Sequence, residues 1–280
     1  MNKIRYIGKV KVIDDKYVLK NEEKKDYLYN YLTSRDFNYF PPLIDRIDEY
    51  NKYSYYNDYS MDNNQKGEDI ANILAELHNK TSYQKTVNQE KYEKIYNDLT
   101  GYINYVNQYY LSLFNEIELR SFPSPSDLLF LTNYSKIKEL IKFLKEETKN
   151  WYMLAKNKDQ ERIVLNHGNI SLDHLIKNDY KYLISWDSYH FDTPINDLIK
   201  FYQNNWEELD FRNIFSIYNK QVNLTKEEEK LLIINICIPK LIKLDEIEYF
   251  NTIKVTKLFN YIYQTEDLIR PYYSEENTEK

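Results

Sequence analysis

The sequence predicts an α+β fold with a small β-rich N-terminal part and a larger, mostly helical C-terminal part. Residues 3–59 hold short runs that alternate apolar and polar side chains, the strand period. Beyond residue 67, apolar residues recur at helical spacing over long stretches. Between the two lies Ser60-Met61-Asp62-Asn63-Asn64-Gln65-Lys66-Gly67, polar and rich in turn formers.

Residues 3–13 and 16–20 read as a β-hairpin turning at Asp14-Asp15, with Lys20 closing the second strand. Residues 22–34 read as a helix, and its opening run Glu22-Glu23-Lys24-Lys25-Asp26 as a solvated helix face. Pro41-Pro42 ends it. Residues 43–49 and 52–59 give two more strands, joined around Tyr50-Asn51, for about four strands and one helix in all. The organisation expected is an N-terminal lobe over 1–60, a hinge at 61–67 and a helical C-terminal lobe over 68–280.

Ile70, Ile73, Leu74 and Leu77 make an amphipathic stripe over 68–79. Long helices follow at 87–118 and 134–157, separated by the Pro/Ser loop 121–126. The stripe Tyr92, Tyr96, Tyr102, Tyr105, Tyr109 is read as helix packing. A short hairpin is expected at 174–177 and 180–185. Helices fill most of 194–272 with a break at Pro239, and the charged tail 274–280 is expected to fray.

The net charge is −6 and no basic patch stands out, which argues against a nucleic-acid partner. The one cysteine, Cys237, sits in the apolar run 231–238 and is read as a buried small hydrophobe. No disulfide within the chain and no zinc spacing is available. The N-terminus lacks a signal-peptide core, and no segment approaches a membrane span, so synthesis in the cytosol is expected. The 30 tyrosines, with abundant Lys, Asn and Ile, reflect an AT-rich composition before they reflect a function.

The most specific stretch runs from Val164 to Leu198. It contains His167-Gly168-Asn169, then His174, then Ile184-Ser185-Trp186-Asp187, then Asp192-Thr193-Pro194-Ile195-Asn196-Asp197-Leu198. This frame resembles the aminoglycoside phosphotransferase and choline kinase superfamily. Its catalytic loop reads His-Gly-Asp-x-x-x-x-Asn, followed by a strand Ile-Asp-Trp/Phe-Glu/Asp and a helix start Asp-x-Pro-x-x-Asp-Leu. The segment Leu74-Ala75-Glu76-Leu77-His78 is similar to the family's Leu-Ala-x-Leu-His. The resemblance implies a bilobal protein-kinase-like fold. Within the superfamily the sequence looks most like spore-coat proteins of the CotS group.

The resemblance also implies roles. In the family the loop Asp accepts the substrate proton, and the loop Asn and strand Asp hold Mg²⁺ against the nucleotide phosphates. Those positions are Asn169, His174 and Ser185 here. An amide is a very poor base, a hydroxyl is a weak neutral ligand, and imidazole suits transition metals better than Mg²⁺. His167 and Asp197 are retained, with bracing roles for the loop; Asp192-Thr193-Pro194 also reads as helix initiation. Lys20 matches the family's phosphate-contacting lysine, Asp187 is a candidate metal ligand, and Asp173 is a further acid for a rewired site. The usual helix glutamate is absent or displaced, and four glycines do not make a phosphate-cradling loop.

Three losses in three roles predict a protein that is not an enzyme. It would be a pseudokinase without catalytic residues or cofactor, acting through other proteins and deposited in a spore coat. The alternatives are a small-molecule phosphotransferase with a rewired metal site, or a regulatory pseudokinase, using ATP or GTP with Mg²⁺.

Overall fold

The structure is a computed structural model and describes residues 3–8, 10–22 and 25–276. The readings of Glu23 as an early helix acid and of the tail end, 277–280, as frayed fall outside the described residues. The architecture is α+β, with a β-rich N-terminal sheet followed by a helical remainder.

Strands β1 (Ile4–Ile7), β2 (Val10–Ile13) and β3 (Tyr17–Asn21) precede α1 (Asp26–Ser34), β4 (Leu43–Ile47) and β5 (Tyr50–Ser54). They form an antiparallel five-stranded sheet of order β1-β2-β3-β5-β4. The extra strand arises because residues 3–13 are themselves a hairpin, turned at Gly8, whose φ is +55°. Asp14 and Asp15 both have positive φ, the geometry that a tight hairpin turn demands. Val12 of β2, Leu28 and Leu32 of α1, and Phe37 are buried.

The next helix, α2 (Asn63–Thr81), starts five residues before its apolar stripe suggests. Asp62 caps it, accepting the N–H groups of Asn64 at 2.9 Å and Gln65 at 3.3 Å. Residues 63–67, read from sequence as part of a hinge, are therefore helical. After β6 (Tyr83–Thr86) come α3 (Gln89–Glu118) and α4 (Pro125–Ala155). The latter starts nine residues before the predicted 134, because Ser124 and Asp127 form a capping box with Pro125 in the first turn.

Strand β7 (Gln160–Asn166) leads into the His167 loop, a 3-10 turn at Leu172–His174, and the hairpin β8 (Leu175–Lys177) and β9 (Lys181–Leu183). A second 3-10 turn at Trp186–Ser188, β10 (His190–Asp192) and α5 (Ile195–Asn205) follow, then α6 (Phe211–Val222), α7 (Lys226–Cys237) and α8 (Glu248–Glu276). Pro194 sits at the N-cap of α5, and Asp192 spends its carboxylate on the N–H of Thr193 rather than capping the helix.

The chain divides into two compact units, Met1–Tyr83 with Arg162–Asn223, and Gln84–Glu161 with Leu224–Lys280. This division differs from the lobes read off the sequence, since the first unit takes α2 and the His167 loop together with the N-terminal sheet. Within it α2 packs on α6, and a Cβ at Gly67 would come within 3.1 Å of methyl groups of Ile214 and Leu209. The second unit packs α4 against α3, α7 and α8. Part of the tyrosine stripe packs there: Tyr92 against Trp151, Tyr96 against Tyr152, and Tyr109 onto the carbonyl of Ile242. Tyr102 and Tyr105 instead face solvent, which corrects the reading of the whole stripe as packing. Cys237 is buried. Among the described residues no helix is long and apolar enough to cross a membrane.

Candidate functional site

Two connected clusters make the site, and every residue in them belongs to the first unit. The inner cluster braces the His167 loop. Asp197, in the first turn of α5, accepts the N–H of His167 at 2.7 Å and of Gly168 at 2.8 Å. Nε2 of His78, from α2, approaches the same carboxylate at 3.3 Å, and Nδ1 of His78 lies 2.6 Å from the hydroxyl of Tyr218. Asp197 is fully buried. Burial alone pushes its carboxyl up, but the hydrogen bond from His78 and the nearby imidazoles hold it below the usual carboxylate range.

Asn166 fixes the entry to the loop, donating to the carbonyls of Asp192 and Thr193 and accepting the N–H of Asp197. Nε2–H of His167 donates to the carbonyl of Ile184 at 2.9 Å, while its Nδ1 accepts the N–H of Asn169. Burial drives His167 down to about 4, so the ring is neutral near pH 7. Gly168 has φ +80°, and a Cβ there would lie 2.0 Å from the carbonyl oxygen of Ser188. Only glycine fits this turn.

The outer cluster gathers charge. Ser185 adopts left-handed backbone angles, φ 67° and ψ 46°, which are uncommon outside glycine, asparagine and aspartate. The turn buries Trp186 against His167, with ring centroids 4.6 Å apart, and leaves Asp187 about half exposed. Lys20 Nζ donates to Oδ2 of Asp187 at 2.8 Å, and Lys25 Nζ to Oδ1 at 2.7 Å. Both lysines also meet Glu22, Lys20 at 2.8 Å and Lys25 in a short contact. Tyr53 donates its hydroxyl to Glu22 Oε1 at 2.7 Å, and Asn51 adds a longer bond.

Strand geometry explains the convergence. Lys20 and Glu22 alternate onto one side as β3 runs out, and β5 pairs Asn51 with Lys20 and Tyr53 with Val18. Partial burial pushes Asp187 up, but the two lysines outweigh it and bring the carboxyl down to about 2. Burial also raises Glu22, and Lys20, Lys25 and Tyr53 together lower it. Burial would lower Lys20, yet Asp187 and Glu22 raise it. All three groups are therefore ionised near neutral pH.

Several sequence expectations change here. Glu22 and Lys25, read as part of a solvated helix face, are instead 5% and 7% exposed at their side chains. The strand lysine has a glutamate partner, displaced from the helix to Glu22. Lys25 was missed altogether. Glu22 was legible as the alternate residue to Lys20 on a strand, but Lys25 meets Asp187 across 162 positions, beyond any local pattern. Asn169 is exposed, and His174 turns Nδ1 back onto the carbonyl of Asn169. Asp173 is exposed on its 3-10 turn and takes no part in the lysine cluster.

Mg²⁺ demands near-octahedral oxygen coordination, typically from carboxylates, phosphates and water. At the frame's metal positions the chain offers one serine hydroxyl, one imidazole, and a carboxylate whose two oxygens both already accept from ammonium groups. Among the described residues no three His, Cys, Asp or Glu side chains converge as a metal-binding group. The donor set does not fit Mg²⁺, since both oxygens of Asp187 already accept from Lys20 and Lys25.

No protein-family model matches the chain, and no curated protein does. Among solved structures, the fold is shared with an aminoglycoside phosphotransferase from Alicyclobacillus acidocaldarius at TM-score 0.64 and 10% identity, over 96% of this chain and 92% of that one. A spectinomycin phosphotransferase solved with AMP aligns at TM-score 0.49 and 12% identity, over 98% and 89%. A choline kinase from Streptococcus pneumoniae aligns at 0.41 and 14%, over 95% and 80%. The expectation of a protein that is not an enzyme is corrected here: the chain shares its fold with an aminoglycoside phosphotransferase, and nothing in the structure shows an inactive protein. That expectation counted side chains at motif positions and overlooked charged groups, Lys25 and Glu22, that arrive from outside the motif.

Proposed function

We propose that this chain is a small-molecule phosphotransferase with a rewired site, moving the terminal phosphoryl group of ATP or GTP to a substrate hydroxyl. The observation that carries this reading is the convergence of Lys20 and Lys25 on Asp187 beside an intact, braced His167 loop. Two lysine Nζ groups converging on one carboxylate make an anion site suited to phosphates.

Phosphoryl transfer passes through a loose transition state, so positioning and charge neutralisation do most of the work. The substrate oxygen bonds to the terminal phosphorus as the bond from phosphorus to the bridging oxygen breaks. The electron pair leaves with the nucleoside diphosphate. The amide of Asn169 is no base, but its carbonyl oxygen accepts a hydrogen bond from a hydroxyl and so orients it. The hydroxyl proton then passes to an oxygen of the transferred group. Lys20 and Lys25 offset the charge that develops on the phosphates.

The test is direct. The purified protein is incubated with ATP or GTP and a panel of amino sugars, amino alcohols and sugars, and phosphorylated products are sought by ³¹P NMR and mass spectrometry. Product from the native chain and its loss in Lys20→Met is expected. No product across the panel from a chain that binds nucleotide overturns the reading.

A further inference from the structure

The cation that a kinase-like site usually borrows is here part of the chain. We infer that Lys25 takes the place of the divalent metal, and that ATP binds through Lys20 and Lys25 without added metal, its phosphates displacing the carboxylate of Asp187. The inference rests on the phosphotransferase reading for the identity of the ligand and goes beyond it in assigning the cation.

Position argues for this first. Lys25 Nζ reaches Asp187 Oδ1 at 2.7 Å, and Lys20 reaches Oδ2 at 2.8 Å, so the carboxylate that follows Ser185-Trp186 is saturated by ammonium groups. A metal approaching Asp187 must expel a lysine that is nearly buried and anchored on Glu22. Charge argues the same way. A dication entering beside two lysines would set like charges against each other at contact distance, whereas a triphosphate brings more negative charge than the single carboxylate of Asp187 that it displaces.

The two acids differ in a way that fixes which one yields. Glu22 is 5% exposed and also holds the hydroxyl of Tyr53, so it stays as the structural counter-charge. Asp187 is 53% exposed and, among the described residues, its oxygens are held by the two lysines alone, so it is the group that an incoming phosphate replaces. In the free protein Asp187 thus acts as a resident stand-in for phosphate, keeping both ammonium groups ordered.

The experiment is calorimetric titration of the full chain with ATP, once in EDTA and once in excess Mg²⁺, alongside a product assay. We expect affinities in the two buffers to agree within about threefold, less than the tenfold that corresponds to 1.4 kcal/mol. Asp187→Ala, made at an exposed carboxylate, should bind ATP in EDTA about tenfold tighter, because the competing anion is gone. Lys25→Gln should lose EDTA binding by about tenfold or more and recover part of it with Mg²⁺, since Asp187 Oδ1 is then free.

Binding that requires metal and vanishes in Asp187→Ala overturns the inference, and product formation under those conditions leaves the phosphotransferase reading standing. Binding in EDTA without product from any hydroxyl substrate supports the inference and overturns that reading. No binding of ATP in either buffer overturns the inference, and no binding of GTP in either buffer as well overturns both.

Discussion

His78 and Asp197 lie 119 positions apart in the chain and meet at 3.3 Å with neither side chain exposed. The contact joins α2 to the start of α5 and fixes the carboxylate that holds the loop at His167 and Gly168. Asp197→Asn replaces one acceptor oxygen by an NH₂ facing N–H donors. Breaking a buried charged contact of this kind costs about 3–5 kcal/mol. Urea denaturation of the variant is expected to show a midpoint lowered accordingly, and an unchanged midpoint would contradict the bracing role.

Stability should fall as the solution is acidified from pH 6.5 toward pH 4. His167 titrates at about 4 in the folded chain against 6.5 when free, so over that interval the unfolded chain binds a proton that the folded chain refuses. The contribution is complete above pH 6.5 and lost as pH falls through about 4. The whole drop corresponds to about 3 kcal/mol at ~1.4 kcal/mol per pH unit. Chemical denaturation at half-unit intervals reads the slope, and His167→Gln should flatten it.

Gly168→Ala adds a methyl group 2.0 Å from the Ser188 carbonyl oxygen at a φ of +80°. The loop must move for this residue to fit, at a cost of about 2–4 kcal/mol. A lowered melting temperature together with loss of ATP binding is expected. Native-like melting and binding would show that the loop tolerates a shift.

Tyr53→Phe removes the 2.7 Å hydrogen bond to Glu22 while keeping the ring. A hydrogen bond to a charged group contributes about 1.5–3 kcal/mol. The variant should unfold earlier in urea by that amount, with Lys20 and Lys25 left to hold Glu22. A change well under 1 kcal/mol would show that Asn51 and the lysines suffice.

The general architecture was legible because strand and helix periods are local. Errors gathered at helix starts. The polar residues 63–67 and the Ser/Pro segment before Asp127 look like turns, yet each is a cap followed by a first helical turn, where side chains are polar because backbone N–H groups need acceptors. The frame of the site was legible from the spacing of His167, Gly168, Ser185 and Asp197. Its charge cluster was not. Whether a lysine in a run such as Glu22-Glu23-Lys24-Lys25-Asp26 is solvated or buried depends on a carboxylate that arrives 162 positions later.

That separation also bears on how the chain is made. At synthesis rates of roughly 5–20 residues per second, Lys25 leaves the ribosome on the order of ten seconds or more before Asp187. The N-terminal sheet passes this interval without its final counter-ion, and closing so long a stretch of chain is slow. Glu22, three positions from Lys25, is the partner within reach throughout. The Lys25 ammonium group therefore has a counter-charge of its own segment before Asp187 is made, and Asp187 adds a second one to a pair that is local in sequence.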